Sequence, residues 1–143
     1  MITTTARANQ KTNARLERLE FEAQKASGAG KGKKAIKNYL ELAHRAYPAG
    51  HLDKSLEAYD KAISMALERG QVDRAARIMM EKAEKLEVNA RTYDAIEEYG
   101  NTISAARSAH LVEVEKEATE FRDILCRSFG RGRTAMTRRK AEA

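Results

Sequence analysis

A chain of 143 residues has the length of one ordinary domain and is long enough to bury a core. Hydrophobic residues make up 42% of it and charged residues 34%, which excludes a disordered chain, and apolar runs of only a few residues exclude a membrane-spanning helix. Cys126 is the only cysteine, so an internal disulfide is excluded and a reducing compartment such as the cytoplasm is expected.

The net charge of +6 is distributed unevenly along the chain. Residues 1–34 contain eight Lys or Arg and three Glu, and residues 127–143 contain six Lys or Arg and one Glu, so each end carries +5. Residues 35–126 contain thirteen bases and seventeen acids, which leaves −4. This pattern indicates basic ends that contact an anionic surface, rather than a basic folded face.

The sequence predicts helices throughout, because Ala, Glu, Lys, Arg and Leu dominate and there is one proline. Apolar residues recur every three or four positions, which is the period of one helix face. Six helices are predicted, at about residues 6–26, 33–47, 52–69, 72–88, 92–109 and 111–128. The short connections between them favour a stack of antiparallel neighbours, so the predicted fold class is all-α.

Three segments are predicted along the chain. Residues 1–34 form an N-terminal helix followed by a loop of glycines and lysines, and residues 35–129 form a helical repeat domain. Residues 130–143 have no apolar stripe, so they are predicted to form a mobile basic tail.

An internal repeat is predicted at an offset of 40 residues. Residues 51–71 align without a gap on residues 91–111, and five of the 21 positions are identical, Tyr59 with Tyr99 among them. The alternative is a chance similarity between two amphipathic helices. A true repeat predicts helix pairs that cover one another's apolar faces, with Tyr59 and Tyr99 buried in the adjoining pair.

The repeat resembles a known helical family at particular residues. Tyr39, Leu42 and Ala43, then Ser55, Tyr59 and Ala62, resemble the tetratricopeptide pattern, with helices lengthened from its usual repeat of about 34 residues. A first helix, a glycine-rich loop and pairs containing SLEAY and AIEEY are similar to the N-terminal part of the soluble NSF-attachment proteins (SNAPs).

This resemblance implies a non-enzymatic adaptor that binds a helix or peptide of a protein partner. It also implies a partner-binding groove on the first helix of each pair, formed by Lys37, Leu40, His44, Tyr47, Arg77, Met80, Glu84 and Glu87. The SNAP loop carries phenylalanines that enter the membrane, whereas this loop carries lysines, so an electrostatic contact is expected here and not an inserted one.

The loop SGAGKGKK at residues 27–34 does not fit a nucleotide-binding P-loop. It has three residues between Gly28 and Gly32 where a P-loop has four, and it lacks the magnesium-binding hydroxyl. It also follows a predicted helix instead of a strand. Lys31, Lys33 and Lys34 precede a predicted helix start, where backbone N–H groups attract anions. A hinge between two helices and an anion contact are the two alternatives for this loop.

The C-terminal tail is a second anion-binding candidate. Its cations can neutralise phosphates, but no aromatic residues lie between them to stack on bases, so RNA would be contacted only through its backbone. A solubilising tail is the alternative. These cations are Arg131, Arg133, Arg138, Arg139 and Lys140.

The sequence predicts neither a catalytic site nor a cofactor. The three histidines, at positions 44, 51 and 110, have no metal-ligand spacing with acids or with Cys126, which is expected to be a half-buried packing thiol. The leading prediction is therefore a cytoplasmic adaptor without a small-molecule substrate, held at a membrane surface or on a large assembly. The alternative is a structural component of a ribonucleoprotein whose basic ends contact RNA.

Overall fold

The computed structural model describes the backbone of residues 3–142 and the side chains of residues 3–130. Within that range the chain is helical and contains no strand, so the all-α prediction is confirmed. The six helices are α1 (Thr4–Gly28), α2 (Gly32–Ala46), α3 (Leu52–Glu68), α4 (Val72–Val88), α5 (Thr92–Ser108) and α6 (Val112–Glu142).

The helices follow one another with a constant step. From α2 onward the helices begin at intervals of 20 residues, at Gly32, Leu52, Val72, Thr92 and Val112. The offset of 40 residues seen in the sequence therefore equals two helix steps.

All five turns between helices share one hydrogen-bonding pattern. The last residue but one of each connection donates its N–H to the carbonyl three residues earlier, and the last residue donates to the carbonyl five residues earlier, at 2.8–3.2 Å. This pair of bonds is the Schellman motif, which satisfies the last carbonyls of a helix and requires a left-handed residue. The left-handed residues, at φ values of 58–85°, are Gly30, Gly50, Gly70, Ala90 and His110.

The buried positions recur with the same step. A large side chain, at most 8% exposed, occupies the eighth residue of α2, α3, α4 and α5, namely Tyr39, Tyr59, Met79 and Tyr99. Small buried residues occupy the fourth position of the same helices, namely Ala35, Ser55, Ala75 and Ala95. Small residues allow helices to approach closely, and the large ones then fill the space between them. The predicted burial of Tyr59 and Tyr99 is confirmed, because both side chains are 0% exposed.

The chain divides into two compact units, Met1–Gln71 and Val72–Ala143. In the first unit α2 packs against both α1 and α3. The buried Ser55 hydroxyl of α3 donates a 2.8 Å hydrogen bond to the Ala43 carbonyl of α2. The predicted segment boundaries at residues 34 and 129 differ from this division and stay predictions.

In the second unit α5 packs against both α4 and α6, and α6 also touches α4. Between α4 and α5, Lys82 Nζ lies 3.1 Å from Glu98 Oε2, and the two side chains are only 15% and 10% exposed. The Tyr99 ring of α5 packs on Phe121 of α6 with ring centroids 5.7 Å apart.

Two element boundaries differ from those predicted. The connection between α1 and α2 consists of residues 29–31 alone, because the Schellman motif closes the turn directly after Gly28. Helix α6 continues to Glu142 instead of ending near Ser128, since Gly130 and Gly132 each weaken a helix by only about 1 kcal/mol and the Arg, Ala and Met residues near them are good helix formers. The predicted mobility of the tail stays a prediction.

None of the helices within residues 3–142 combines the length and the apolar content needed to cross a bilayer.

Candidate functional site

The four groove residues predicted for α2, three in the helix and Tyr47 directly after it, form one stripe, here called the α2 stripe. They are spaced at intervals of three or four residues, which brings them to the same face. Lys37 and His44 are exposed, whereas Leu40 and Tyr47 are partly buried. The His44 ring lies edge-on to the buried Tyr59 ring of α3, with centroids 6.0 Å apart, so this contact with α3 helps to orient the imidazole.

The corresponding residues of α4, called the α4 stripe, have a different character. Arg77 and Glu84 are exposed and Glu87 is partly buried, but Met80 is only 8% exposed and belongs mainly to the core. Glu87 Oε2 accepts a 2.6 Å hydrogen bond from the Tyr99 hydroxyl. Burial and then this hydrogen bond raise the pKa of Tyr99 well above its ordinary value, so the phenol stays protonated as a donor.

The α4 stripe is also the centre of an acidic surface. Although the Glu84 side chain is exposed, partial desolvation of its carboxylate raises its pKa above the ordinary value, and repulsion from Glu117, Glu81 and Glu87 adds to the shift, while Lys85 opposes it. Residues 72–130 contain twelve acids and nine Lys or Arg, a net charge of −3. By contrast, residues 1–71 contain thirteen Lys or Arg and eight acids, a net charge of +5.

The lysines predicted to bind anions near the first turn are all exposed. Lys31 precedes α2, and Lys33 and Lys34 lie in its first turn. This turn contains no acid, whereas the first turns of α3, α4, α5 and α6 each contain at least one. The Arg69 side chain lies against Gly32, with its Nη1 2.7 Å from where a β-carbon would stand, and it adds a fourth cation that the sequence did not indicate.

A cleft between α1 and α2, here called the α1–α2 cleft, is a site that the sequence did not reveal. It has a volume of about 750 Å³. Its cationic or imidazole side chains come from both helices, and its apolar wall includes Leu16 and Pro48. Of these side chains only His44 was predicted as a site residue, whereas Lys11, Arg15, Arg18 and Arg45 were not.

The second unit exposes an aromatic pair. Tyr93 in the first turn of α5 and Phe129 of α6 lie edge-on with centroids 5.8 Å apart, and they are 71% and 40% exposed. Val88 and Val112 are also exposed in this unit. Aromatic side chains left in contact with water are typical of surfaces that meet a protein partner.

The remaining residues considered in the sequence are the possible metal ligands, Cys126 and the cations of the tail. No group of three His, Cys, Asp or Glu in residues 3–130 could hold a metal ion. Cys126 is exposed, so the expectation of a half-buried thiol is wrong. The tail side chains Arg131, Arg133, Arg138, Arg139 and Lys140 lie outside the described residues.

Comparison with protein-family models, with curated proteins and with solved structures finds no match to this chain. What the chain binds must therefore be inferred from its own residues.

Proposed function

We propose that the chain is a non-enzymatic adaptor built as an antiparallel, tetratricopeptide-like helical repeat, which binds a helix or peptide of a protein partner. The observation that carries this proposal is the 20-residue step. From α2 to α5, equivalent buried positions carry side chains of similar size, small at the fourth residue and large at the eighth. The exposed positions of the same helices differ in charge and shape. A repeated core with a variable surface is the usual construction of a binding scaffold.

The antiparallel arrangement is supported by the order of contacts within the second unit. Tyr93, near the start of α5, contacts Phe129, and Tyr99 in the middle of α5 contacts Phe121. Near the end of α5, Arg107 Nε donates a 2.8 Å hydrogen bond to Glu115. Residue numbers that rise along α5 thus pair with numbers that fall along α6, as neighbours of opposite direction require.

The two stripes suit different parts of a partner. The α2 stripe offers Lys37 and His44 beside partly buried Leu40 and Tyr47, a combination that suits an apolar helix face flanked by acids. The α4 stripe offers the carboxylates Glu84 and Glu87, which suit a basic segment. Similarity to the SNAPs supports the same role, with Lys31, Lys33 and Lys34 holding an anionic surface.

The adaptor proposal is tested by capture of partners with charge-reversed variants. Lys37→Glu changes the α2 stripe and Glu84→Lys changes the α4 stripe, while Glu57→Lys and Glu97→Lys serve as controls on exposed positions of α3 and α5. We expect a partner held by the wild-type chain to be lost with one stripe variant and retained by both controls. Equal retention by all four variants would refute the assignment of the stripes.

A second function, a structural component of a ribonucleoprotein, is favoured by one observation, the acid-free start of α2, where Lys31 precedes the helix and Lys33 and Lys34 lie in its first turn, all three exposed. It predicts that the full chain co-sediments with RNA at about 150 mM salt, where non-specific contacts are already weakened. Deletion of residues 130–143 should abolish this co-sedimentation. A chain that ignores RNA under these conditions and still captures a protein partner supports the adaptor alone.

A further inference from the structure

We propose that the α1–α2 cleft binds a small organic molecule that carries several phosphate groups. This inference concerns a ligand site within the first unit and does not require the adaptor function, because its test measures a ligand and not a partner protein.

The cations of the cleft converge from two helices. Lys11, Arg15 and Arg18 lie at intervals of four and three residues on α1, so they share one face and extend over about 10 Å of the helix. His44 and Arg45, at the end of α2, line the same cleft. A ligand with separated anionic groups could therefore contact several of these side chains at once.

The acids around the cleft do not neutralise it. Arg18 Nε lies 3.9 Å from Glu22, and the two side chains are 81% and 50% exposed. This ion pair is therefore weak, and an anionic ligand can replace Glu22 as the partner of Arg18. Arg45 Nε donates a 3.1 Å hydrogen bond to Glu41. Lys11 and Arg15 make no ion pair with any described side chain. Two cations are thus fully available, and a third is held only loosely.

The size of the cleft indicates the kind of ligand. About 750 Å³ falls within the range of about 300–1,000 Å³ typical of small-molecule sites, and it greatly exceeds the needs of a single inorganic anion. The exposed ring of Pro48 offers apolar contact to an organic part, whereas Leu16, which also lines the cleft, is only 2% exposed. Three guanidinium groups favour phosphate, whose three oxygens and charge of about −1.5 to −2 satisfy more donors than one carboxylate does.

The test is isothermal titration calorimetry of the full chain at about 150 mM salt, an ionic strength at which purely non-specific contacts are weak. Three probes distinguish the sources of phosphate: ATP, inositol hexakisphosphate, and vesicles that contain phosphatidylinositol bisphosphate. We expect one of them to bind with one ligand per chain. Lys11→Ala with Arg15→Ala should weaken this binding by about tenfold or more, because two charge-assisted contacts are lost.

The matched control is Lys116→Ala with Arg127→Ala, which removes the same charge, one lysine and one arginine, from exposed positions of α6 and should change the affinity less than about twofold. Both pairs are exposed on helices, and circular dichroism will verify that the variants fold. The proposal is overturned if none of the probes binds, if the control pair weakens binding as much as the cleft pair, or if a polyglutamate peptide binds the cleft more tightly than every probe. Binding to the vesicles alone would support the site and identify a lipid headgroup as the ligand.

Discussion

Ala90 occupies the same place in its turn as Gly70 does twenty residues earlier, and both hold a left-handed backbone, at φ values of 58° and 72°. The N–H of Ala90 donates to the Glu87 carbonyl at 3.1 Å, as that of Gly70 donates to Leu67 at 3.0 Å. A β-carbon makes this conformation unfavourable by about 1–2 kcal/mol, whereas glycine adopts it freely. The turn after α4 is therefore formed against the preference of its own residue.

Replacing Ala90 by glycine should stabilise the chain. The relief of backbone strain exceeds the entropy that glycine adds to the unfolded state, so we expect a gain of about 0.5–1 kcal/mol in the free energy of unfolding. Urea denaturation followed by circular dichroism measures it. Gly70→Ala is the matched control and should lose about 1 kcal/mol, since nothing lies within 4 Å of its added β-carbon and only the backbone is strained. A loss on Ala90→Gly would contradict this explanation of the turn.

Tyr59 and Tyr99 should each be essential to the core of their unit. Truncation to alanine removes a fully buried ring, and we expect Tyr59→Ala and Tyr99→Ala to lower the free energy of unfolding by about 3–5 kcal/mol each. Tyr99→Phe keeps the ring and removes only the hydrogen bond to Glu87, so it should cost about 1 kcal/mol. Chemical denaturation of the three variants checks these values, and a loss below about 1 kcal/mol in both alanine variants would remove the central role of these rings.

The ion pair between Lys82 and Glu98 should be costly to break but unnecessary for stability. Lys82→Met leaves a nearly buried carboxylate without its partner, and a loss of about 2–4 kcal/mol is expected. The double variant Lys82→Met with Glu98→Leu should recover to within about 1 kcal/mol of the wild type, because apolar packing replaces the pair. A double-mutant cycle by denaturation measures the coupling. If the double variant loses as much free energy of unfolding as the two single variants combined, the two side chains are not energetically coupled.

Glu84 should make stability depend on pH. Its pKa is raised in the folded state, chiefly by partial desolvation of the carboxylate, so the charged form is less favourable there than in the unfolded chain. The penalty is absent below the unfolded pKa and develops as pH rises through the folded pKa. Glu84→Gln should therefore raise the melting temperature at pH 7 and have little effect near about pH 4. The exposed Glu97→Gln provides the control, and an equal effect of both variants at pH 7 would argue against a specific penalty at Glu84.

The sequence predicted the helices well because helix periodicity is a local property. The observed bounds of α3, α4 and α5 lie within one residue of the predicted ones. Glycines marked three of the turns, but nothing in the residues themselves showed that Ala90 and His110 would also be left-handed. Their conformation follows from the need to satisfy the last carbonyls of α4 and α5 with hydrogen bonds. These hydrogen bonds are seen only in the folded turn.

The α1–α2 cleft could not be predicted from periodicity alone. Lys11 and His44 are separated by 33 positions, and only the packing of α1 on α2 brings them to one cleft. The spacing of Lys11, Arg15 and Arg18 was a usable signal, because intervals of four and three residues place cations on a single helix face. The 20-residue step was also missed, since equivalent positions such as Ala43 and Ile63 share burial but not identity.

The nearest-neighbour packing of the helices bears on how the chain emerges from the ribosome. Within the first unit, α2 finds its contacts in the helices directly before and after it, so α1 to α3 can be completed while the rest is still being synthesised. Contacts between segments so close in sequence carry a small loop-closure cost and favour folding on the microsecond to millisecond scale. Because translation adds only about 5–20 residues per second, each new helix that packs on an earlier helix of its own unit has ample time to dock before the next one leaves the exit tunnel.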